Sequence, residues 1–229
     1  MFDTLPALHR ELSACRLCAE AGHFIVSPPI FSGPAGARLM IVGQAPGRME
    51  QERTHRPFSG PAGKRLFRWL AEAGWAEEAF RAANYMTAIT KCYPGPHPAG
   101  RGDRVPGKEE QALCRPWLEQ ELALVQPQVV IPVGGLSIQR FLGNGARLVE
   151  IIGRAFVRPT DDQQFTPWAQ QHLPPRCQVI PLPHPSGASQ WFNVPANQAL
   201  LHQALAHVRA AGRDSVVFGG FSAGGLSSP

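Results

Sequence analysis

Residues 38–47 read RLMIVGQAPG, and this stretch decides the fold. The apolar run at 39–42 predicts a buried strand over 38–43, which ends in the glycine-bounded loop GQAPG. Such a loop after a buried strand is typical of α/β proteins, in which ligands bind beyond the carboxyl ends of the strands. GQAPG contains no carboxylate, thiol or hydroxyl, so it offers a ligand only backbone groups and the amide of Gln44.

The pattern of a strand followed by a helix repeats along the chain. Periodicity predicts strands at 38–43, 85–90, 129–133 and 177–182, and helices at 4–20, 61–73, 108–125, 136–142 and 195–211. Residues 144–176 are ambiguous, and short strands are expected near 147–158. The alternation predicts a three-layer α/β/α sandwich around a mainly parallel central sheet. We expect one domain over 1–211 and a disordered, glycine-rich tail over 212–229.

Composition and charge limit the classes of protein. The 229 residues suffice for one large α/β domain, and the formal net charge of +5 is compatible with a polyanionic partner without requiring one. No run of about 18 apolar residues predicts a membrane span. The first residues lack the basic and apolar regions of a signal peptide, so we expect a cytoplasmic protein whose five cysteines are not a disulfide framework.

Four of the five cysteines stand in a pattern that suits a metal centre. Cys15 and Cys18 form a C-x2-C pair, Cys92 follows the second predicted strand, and Cys114 lies in the helix predicted at 108–125. Four thiolates suit either zinc or a [4Fe–4S] cluster, and spacing does not separate the two. Scattered, half-buried thiols are the alternative. Cys177 lies inside a predicted strand and is interpreted as a core thiol.

Six short motifs follow one another in an order that resembles the uracil-DNA glycosylase superfamily, and specifically its iron–sulfur branch, families four and five. They are Cys15-x2-Cys18, GQAPG at 43–47, RPFSGPAG at 56–63, Thr90-Lys91-Cys92-x-Pro94, Cys114 and His184-Pro185-Ser186. Each motif is weak by itself, but six in one order are specific. The resemblance extends from about residue 11 to about residue 210.

The resemblance implies a DNA repair glycosylase with the α/β/α fold. Such an enzyme flips uracil or another deaminated base out of DNA and hydrolyses its N-glycosidic bond. The motifs contain no obvious lysine nucleophile, so no lyase step is expected. The implied partner is DNA with deaminated bases, bound by a monomer that associates with the nucleoid. The implied cofactor is a structural [4Fe–4S] cluster on Cys15, Cys18, Cys92 and Cys114.

The resemblance also assigns roles around the flipped base. Gln44 would contact the base edge or the attacking water, and His184 would donate to the negative charge that develops on base O2. Phe58 would stack on the base. The remaining base-binding residues are Gly43, Ala45 and Ala88. Without the resemblance, GQAPG would equally suit a phosphate-binding nest or a plain turn.

DNA outside the base pocket is expected to meet small polar residues and one loop. The loop at 187–192, with Gln190, Trp191 and Phe192, would enter the minor groove and fill the space left by the base. Lys64 is a weaker candidate for a phosphate contact. The contacts expected along the strand are Ser59, Ser137, Ser186, Gly187 and Gln190.

Two departures from the family pattern affect the expected chemistry. Ala88 stands where an Asn often reads the N3–H and O4 of uracil, so strict uracil specificity is in doubt. Gln44 and Pro61 stand where family four usually has Glu and family five often has Asp. We therefore name Glu50 as a candidate catalytic carboxylate, with a solvated loop charge as the alternative.

The segment between Cys92 and Cys114 is longer than usual because it carries PGPHPAGRGDRVPG at 94–107. One interpretation is an insertion that contacts DNA through Lys91, His97, Arg101 and Arg104. A solvated loop is the other. His55 is interpreted either as a second donor near the pocket or as a surface side chain.

Two other functions remain open at this point. A damage-binding protein that keeps the pocket without turnover, or that binds covalently, is suggested by the missing carboxylates. A nucleotide-phosphate hydrolase or transferase would use GQAPG as a phosphate nest, but the chain has no Gly-Lys-Ser/Thr phosphate signature.

Overall fold

The computed structural model describes residues 2–100, 102–145, 147–186 and 190–213. Its centre is a five-stranded sheet in the order β2-β1-β3-β5-β4. The first four of these strands run parallel and β4 is antiparallel to β5, which confirms the expected mainly parallel sheet. The strands are β1 (Leu39–Gly43), β2 (Tyr85–Ala88), β3 (Val129–Pro132), β4 (Phe156–Val157) and β5 (Gln178–Val179).

Helices flank this sheet in two groups. One group packs α1, α2 and α8 against α5, and the other packs α4 and α9 against α3. The α-helices of the described chain are α1 (Leu5–Ser13), α2 (Leu17–Glu20), α3 (Pro61–Glu72), α4 (Glu77–Ala83), α5 (Lys108–Val125), α6 (Gly135–Leu142), α7 (Leu148–Ile151), α8 (Pro167–His172) and α9 (Pro195–Arg213). A π-helical turn spans Glu50–Thr54, and 3₁₀ turns span Asp162–Gln164 and Gln190–Asn193.

The strand of the opening stretch is an inner strand of the sheet, second from the edge that β2 forms. β1 pairs with β2 on one side and with β3 on the other, so that Ile41 lies beside both Met86 and Ile131. All five residues of β1 are buried. This is the expected pattern for a parallel strand covered on both faces, and it explains why residues 39–42 show no alternation of polar and apolar side chains.

Two predicted segments differ from the structure. The helix predicted over 4–20 is two helices, because α1 ends at Ser13 and α2 begins only at Leu17. The apolar stripe continues across this break and hides it from the periodicity. In the ambiguous segment, the expected strand exists only as Phe156–Val157, and residues Leu148–Ile151 are helical.

Two further expectations concern the tail of the chain and the absence of a membrane span. Residues 214–229, most of the predicted tail, lie outside the described residues. Within the described chain, no helix is both long enough and apolar enough to cross a membrane.

Candidate active site

A cleft of about 780 Å³ opens at the carboxyl edge of the sheet. The loops that follow β1, β2 and β5 meet here, and Val133 after β3 closes the floor. The cleft is lined mainly by residues 43–50, 57–58, 60–63, 87–88, 102–104 and 184–186. The sequence motifs GQAPG, RPFSGPAG and HPS therefore face one space.

The GQAPG loop forms one wall of this cleft. Its backbone is fixed to the segment after β2, because the Gln44 carbonyl accepts a hydrogen bond from Thr90 N at 3.2 Å. The half-buried Gln44 side chain lines the cleft and brings an amide donor and acceptor to it. Ala45 and Ala88 line the same cleft and add only methyl groups.

Phe58 packs across the end of β1. A β-carbon on Gly43 would lie 2.9 Å from Cζ of the Phe58 ring, and a β-carbon on Gly63 would lie 1.9 Å from its carbonyl oxygen. Only glycine fits at both positions. Phe58 itself has a φ of 53°, a left-handed conformation that is costly for a bulky residue. The surrounding contacts thus hold the ring against the strand end, beside the cleft.

A buried arginine holds the Phe58 backbone in this conformation. The Arg81 guanidinium donates to the carbonyls of Pro57 at 2.7 Å and Phe58 at 2.9 Å. It also stacks on Phe67 at 4.1 Å and donates to Glu77 at 2.9 Å. Burial lowers the pKa of Arg81, and the hydrogen bond that Arg81 donates to Glu77 opposes that shift. Arg81 was missed in the sequence because it lies on α4, outside every motif.

Glu50 holds the backbone of the loop that carries Phe58. Its Oε1 accepts hydrogen bonds from the backbone N–H groups of Ser59 at 3.1 Å and Gly60 at 2.9 Å, next to the start of α3. The residue is only 8% exposed but still reaches the cleft. The alternative of a solvated loop charge does not fit this burial. One carboxylate oxygen orders the Phe58 loop, and the other lies beside Gly47 and Gly60.

His184 stands across the cleft, where the segment after β5 turns. Its Nδ1 accepts a hydrogen bond from Ser186 N at 3.2 Å, so the neutral ring carries its proton on Nε2. Burial lowers the pKa of His184, and the negative charge of Asp103 opposes this shift. The ring packs on Gly134, where a β-carbon would approach Cδ2 within 2.8 Å. The cleft therefore contains a neutral imidazole that can donate through Nε2.

The structure separates the serines that were expected to contact DNA. Ser137 is fully buried, and its hydroxyl donates to the Val42 carbonyl at 2.7 Å, which does not fit a phosphate contact. Ser59 is partly exposed but does not line the cleft, and its hydroxyl donates to the Arg56 carbonyl at 2.8 Å. Ser186 lines the cleft. Gly187 and the side chain of Gln190 lie outside the described residues.

The aromatic residues expected to form a wedge pack inward instead. Phe192 lies against Trp69 with ring centroids 5.1 Å apart, and Arg65 stacks on it at 5.9 Å. Trp191 is edge-on to Phe192 at 5.4 Å. Both are partly buried against the core. A wedge into DNA would have to come from residues 187–189, which the structure does not describe.

A second, smaller pocket brings four cysteines together. Cys15, Cys18, Cys92 and Cys114 all line it, with apolar neighbours from α1, α2 and α5. Burial, strengthened by the neighbouring thiols, raises the pKa of Cys92 to about 12 and that of Cys18 to about 11. No group of His, Cys, Asp or Glu side chains in the described chain is placed to hold a single metal ion. The iron–sulfur site therefore stays a prediction at this point.

Comparison with known proteins decides the family. Residues 30–209 match the family model described as the uracil DNA glycosylase superfamily. The chain belongs to the uracil-DNA glycosylase superfamily. The expectations of this family and of a DNA glycosylase are confirmed at that level, because the match covers the whole sheet and the cleft.

Individual relatives of the superfamily are named for its type-4 and type-5 branches. The chain is 25% identical over 174 residues to a type-4 uracil-DNA glycosylase of Sulfurisphaera tokodaii, covering 74% of each protein. It is 33% identical over 149 residues to a type-4 enzyme of Pyrobaculum aerophilum, covering 65% of this chain and 70% of the relative. It is 30% identical over 165 residues to a type-5 enzyme of Thermus thermophilus, covering 60% and 72%.

The loop at 94–107 of this superfamily member is built differently from the expectation. Lys91 is 1% exposed and forms an ion pair with Glu121 at 3.0 Å, so it does not reach DNA. Arg104 donates to both carboxylate oxygens of Glu110 at 2.6 Å. Arg101 lies outside the described residues, and His97 is exposed. His55 is exposed as well, in agreement with its interpretation as a surface side chain.

Four residues of that loop line the cleft, Pro94, Gly102, Asp103 and Arg104, and the acidic one belongs to no sequence motif. Asp103 faces the GQAPG wall, and its Oδ1 accepts a hydrogen bond from the Tyr93 hydroxyl at 3.0 Å. The only sequence signal was the unusual length of the loop, which did not distinguish Asp103 from its basic neighbours.

Proposed function

We propose that this protein is a monofunctional DNA glycosylase that hydrolyses the N-glycosidic bond of uracil or another deaminated base flipped out of DNA. The observation that carries the proposal is the pairing of His184 and Phe58 across one cleft. His184 offers an Nε2–H donor, and Phe58 offers an aromatic face fixed against Gly43. A cleft with these two groups suits a flat, hydrogen-bonding base better than a phosphate.

Bond cleavage leaves negative charge on the base and positive charge on the sugar. A donor aimed at the developing base anion is worth about 3–4 kcal/mol in comparable sites. His184 supplies such a donor without carrying a charge of its own, since burial lowers its pKa. Phe58 replaces the stacking that the base loses on leaving the duplex. The Gln44 amide orients the base edge.

The wall beside β2 favours a broad substrate range. Ala88 presents a methyl group, and its carbonyl accepts a hydrogen bond from Lys91 Nζ at 2.8 Å. The neighbouring Thr87 hydroxyl donates to Glu121 in the interior. Gln44 is therefore the amide available to read the base, and one flexible amide tolerates both uracil and hypoxanthine.

The cysteine pocket fits a [4Fe–4S] cluster. Four thiols from three segments of the chain surround one space, which is the donor set that such a cluster requires. The buried Thr90 hydroxyl lines the same pocket without a hydrogen-bond partner in the described chain, and it can donate to a sulfur atom. Four thiolates leave no open position for substrate, so the cluster would join α2 and the residues before it, the segment after β2 and α5 structurally.

Exposed cations stand along the rim where the DNA backbone would pass. Arg48 and Arg53 line the outer cleft and are exposed, and Lys64 is exposed on the first turn of α3. Contacts of this kind position the duplex without reading its sequence. We propose that the protein acts as a monomer on damaged DNA in the cytoplasm, at the nucleoid.

A base-release panel tests the proposal. Purified protein is incubated with oligonucleotides that carry uracil, hypoxanthine, xanthine or a thymine mismatch, in single and double strands. The expected result is free base and an alkali-labile abasic site, with no strand cleavage before alkali. No released base from any substrate would refute the proposal. A protein–DNA complex that survives denaturation, without free base, would identify a covalent damage-binding protein instead.

A further inference from the structure

We infer that Asp103 and Glu50 together hold the attacking water over Gly47, and that Asp103 takes its proton. This inference rests on the proposed glycosylase function and adds a catalytic carboxylate from the long loop at 94–107. These two residues would supply the carboxylates for water activation that GQAPG, with Gln44, does not contain.

The decisive geometry lies at the last glycine of GQAPG. A β-carbon on Gly47 would be 2.9 Å from Glu50 Oε2 and 3.2 Å from Asp103 Oδ2. Two carboxylate oxygens thus converge on the open side of Gly47, inside the cleft. A water molecule has two O–H groups and can donate to two such oxygens at hydrogen-bond distance. Gly47 leaves the space that any other residue would fill.

The two carboxylates are fixed from opposite sides of the cleft. Glu50 is held by the backbone N–H groups of Ser59 and Gly60 through its other oxygen. Asp103 is held by the Tyr93 hydroxyl through Oδ1 at 3.0 Å. In each case one oxygen is bound by the protein, and the second oxygen faces Gly47.

The loop that carries Asp103 is anchored firmly enough for this task. Asp103 forms an isolated antiparallel bridge with Pro96. The next residue, Arg104, donates to Glu110, to the Pro94 carbonyl at 2.9 Å and to the Phe24 carbonyl at 3.1 Å. These bonds tie the loop to α5, and Asp103 keeps its place at the cleft.

Asp103 is the carboxylate of the pair whose position leaves it open to take the proton. Glu50 is buried and already accepts two backbone hydrogen bonds, whereas Asp103 is exposed and accepts one from a neutral phenol. Asp103 and His184 line the same cleft.

The chemical step balances with these groups. The electron pair of the C1′–N bond leaves with the base, and His184 Nε2–H stabilises the resulting anion. The water oxygen forms a bond to C1′, and one water proton passes to Asp103. The base anion takes a proton from solvent, and Asp103 returns its proton to solvent. The products are the free base and an abasic site.

The test compares Asp103→Asn with a matched control, Glu109→Gln. Asn keeps an oxygen for Tyr93 but is a poor base, and Glu109 is an exposed carboxylate on the first turn of α5. Single-turnover release of uracil at saturating enzyme should fall about 100-fold in Asp103→Asn. Affinity for abasic-site DNA should change less than about 3-fold, because the lost group acts on water, and Glu109→Gln should match wild type.

A second variant, Gly47→Ala, tests the water site itself. Its β-carbon would enter the space between Glu50 Oε2 and Asp103 Oδ2 and displace the water. We expect the same loss of single-turnover rate, and little further loss when it is combined with Asp103→Asn. Wild-type excision with an unchanged rate in Asp103→Asn would overturn this inference alone. Failure of the wild type to release any base would overturn the proposed function as well.

Discussion

The cleft and the cysteine pocket share the short stretch of chain from the end of β2 to Cys92, but different kinds of contact hold them together. Ala88 lines the cleft and Cys92 lines the pocket. In the cleft, protein groups hold one another: Arg81 binds the Phe58 carbonyl, and Ser186 N binds His184. In the pocket, four cysteine side chains line one space, and burial raises the pKa of Cys18, Cys92 and Cys114.

This difference predicts that the cysteine pocket, unlike the cleft, depends on a bound metal group for its stability. The cleft is ordered by hydrogen bonds that the polypeptide supplies, so it should tolerate changes to single contacts in proportion to their strength. The proposed cluster would stabilise the pocket, because the free energy of metal binding then adds to the free energy of folding. The following experiments test that difference between the cleft and the pocket.

The largest effect should follow loss of the pocket's ligands. The double variant Cys92→Ser, Cys114→Ser should lose bound iron and the visible absorbance of the cluster. It should also lose at least about 3 kcal/mol of stability, or about 10 °C in melting temperature. Iron analysis and thermal unfolding provide the measurements.

The fifth cysteine is the matched control for that variant. Cys177 is buried next to β5 and does not line the pocket. Cys177→Ala should retain full iron content and lose only the packing of one thiol. Equal iron in the double variant and in wild type would contradict the four-cysteine assignment.

The next largest effect should be on catalysis through His184. His184→Asn removes the Nε2 donor, and single-turnover base release should fall about 100- to 1,000-fold. Iron content should stay at the wild-type level, since His184 does not line the pocket. The exposed His202 on α9 provides the control His202→Asn, which should leave the rate unchanged. Similar rates in both variants would remove His184 from the mechanism.

A smaller effect should follow from Arg81, which shapes the cleft without contacting the base. Arg81→Met leaves the Pro57 and Phe58 carbonyls without their donor, and we expect a loss of about 2–3 kcal/mol in the free energy of unfolding. Urea denaturation gives this value. The exposed pair of Arg56 and Glu78 supplies the control Arg56→Met, which should not change the midpoint. A wild-type midpoint in Arg81→Met would show that the Phe58 loop needs no support.

Ser137 should show an effect on stability alone. Ser137→Ala removes one of the two hydrogen bonds that the buried Val42 carbonyl accepts, the other coming from Val133 N at 2.9 Å, so we expect a loss of about 1 kcal/mol. The salt dependence of DNA binding should remain that of wild type, whereas Lys64→Ala should reduce its slope by about 1. A reduced slope in Ser137→Ala would restore the original expectation of a phosphate contact.

The smallest effect should be a pH dependence of stability from His184. Burial lowers its pKa in the folded protein, so below the unfolded value of about 6.5 the unfolded chain binds the proton more readily. Stability from this group is present above that pH and is lost as the pH falls. Wild type should therefore lose more stability than His184→Asn between pH 7.5 and pH 5.5, as measured by urea midpoints. Parallel losses would contradict the lowered pKa.

The sequence predicted what depends on local pattern. The runs of β1 and β3 and the motif order placed Gln44, Phe58 and His184 correctly at one cleft, because strand ends and glycine loops are short-range signals. It did not predict contacts made between distant segments. The burial of Lys91 depends on Glu121 from α5, and the place of Asp103 depends on Tyr93 and Arg104.

The position of β1 between β2 and β3 also sets an order for synthesis. β1 needs β2 on one edge and β3 on the other, and β3 begins only at Val129. A nascent chain that has emerged only as far as α5 would already contain the cysteines of the pocket and all of GQAPG, yet one edge of its most apolar strand would remain unpaired. Such an edge attracts other chains. Ribosome-bound intermediates of this length should therefore depend on chaperones until β3 emerges and pairs with the free edge of β1.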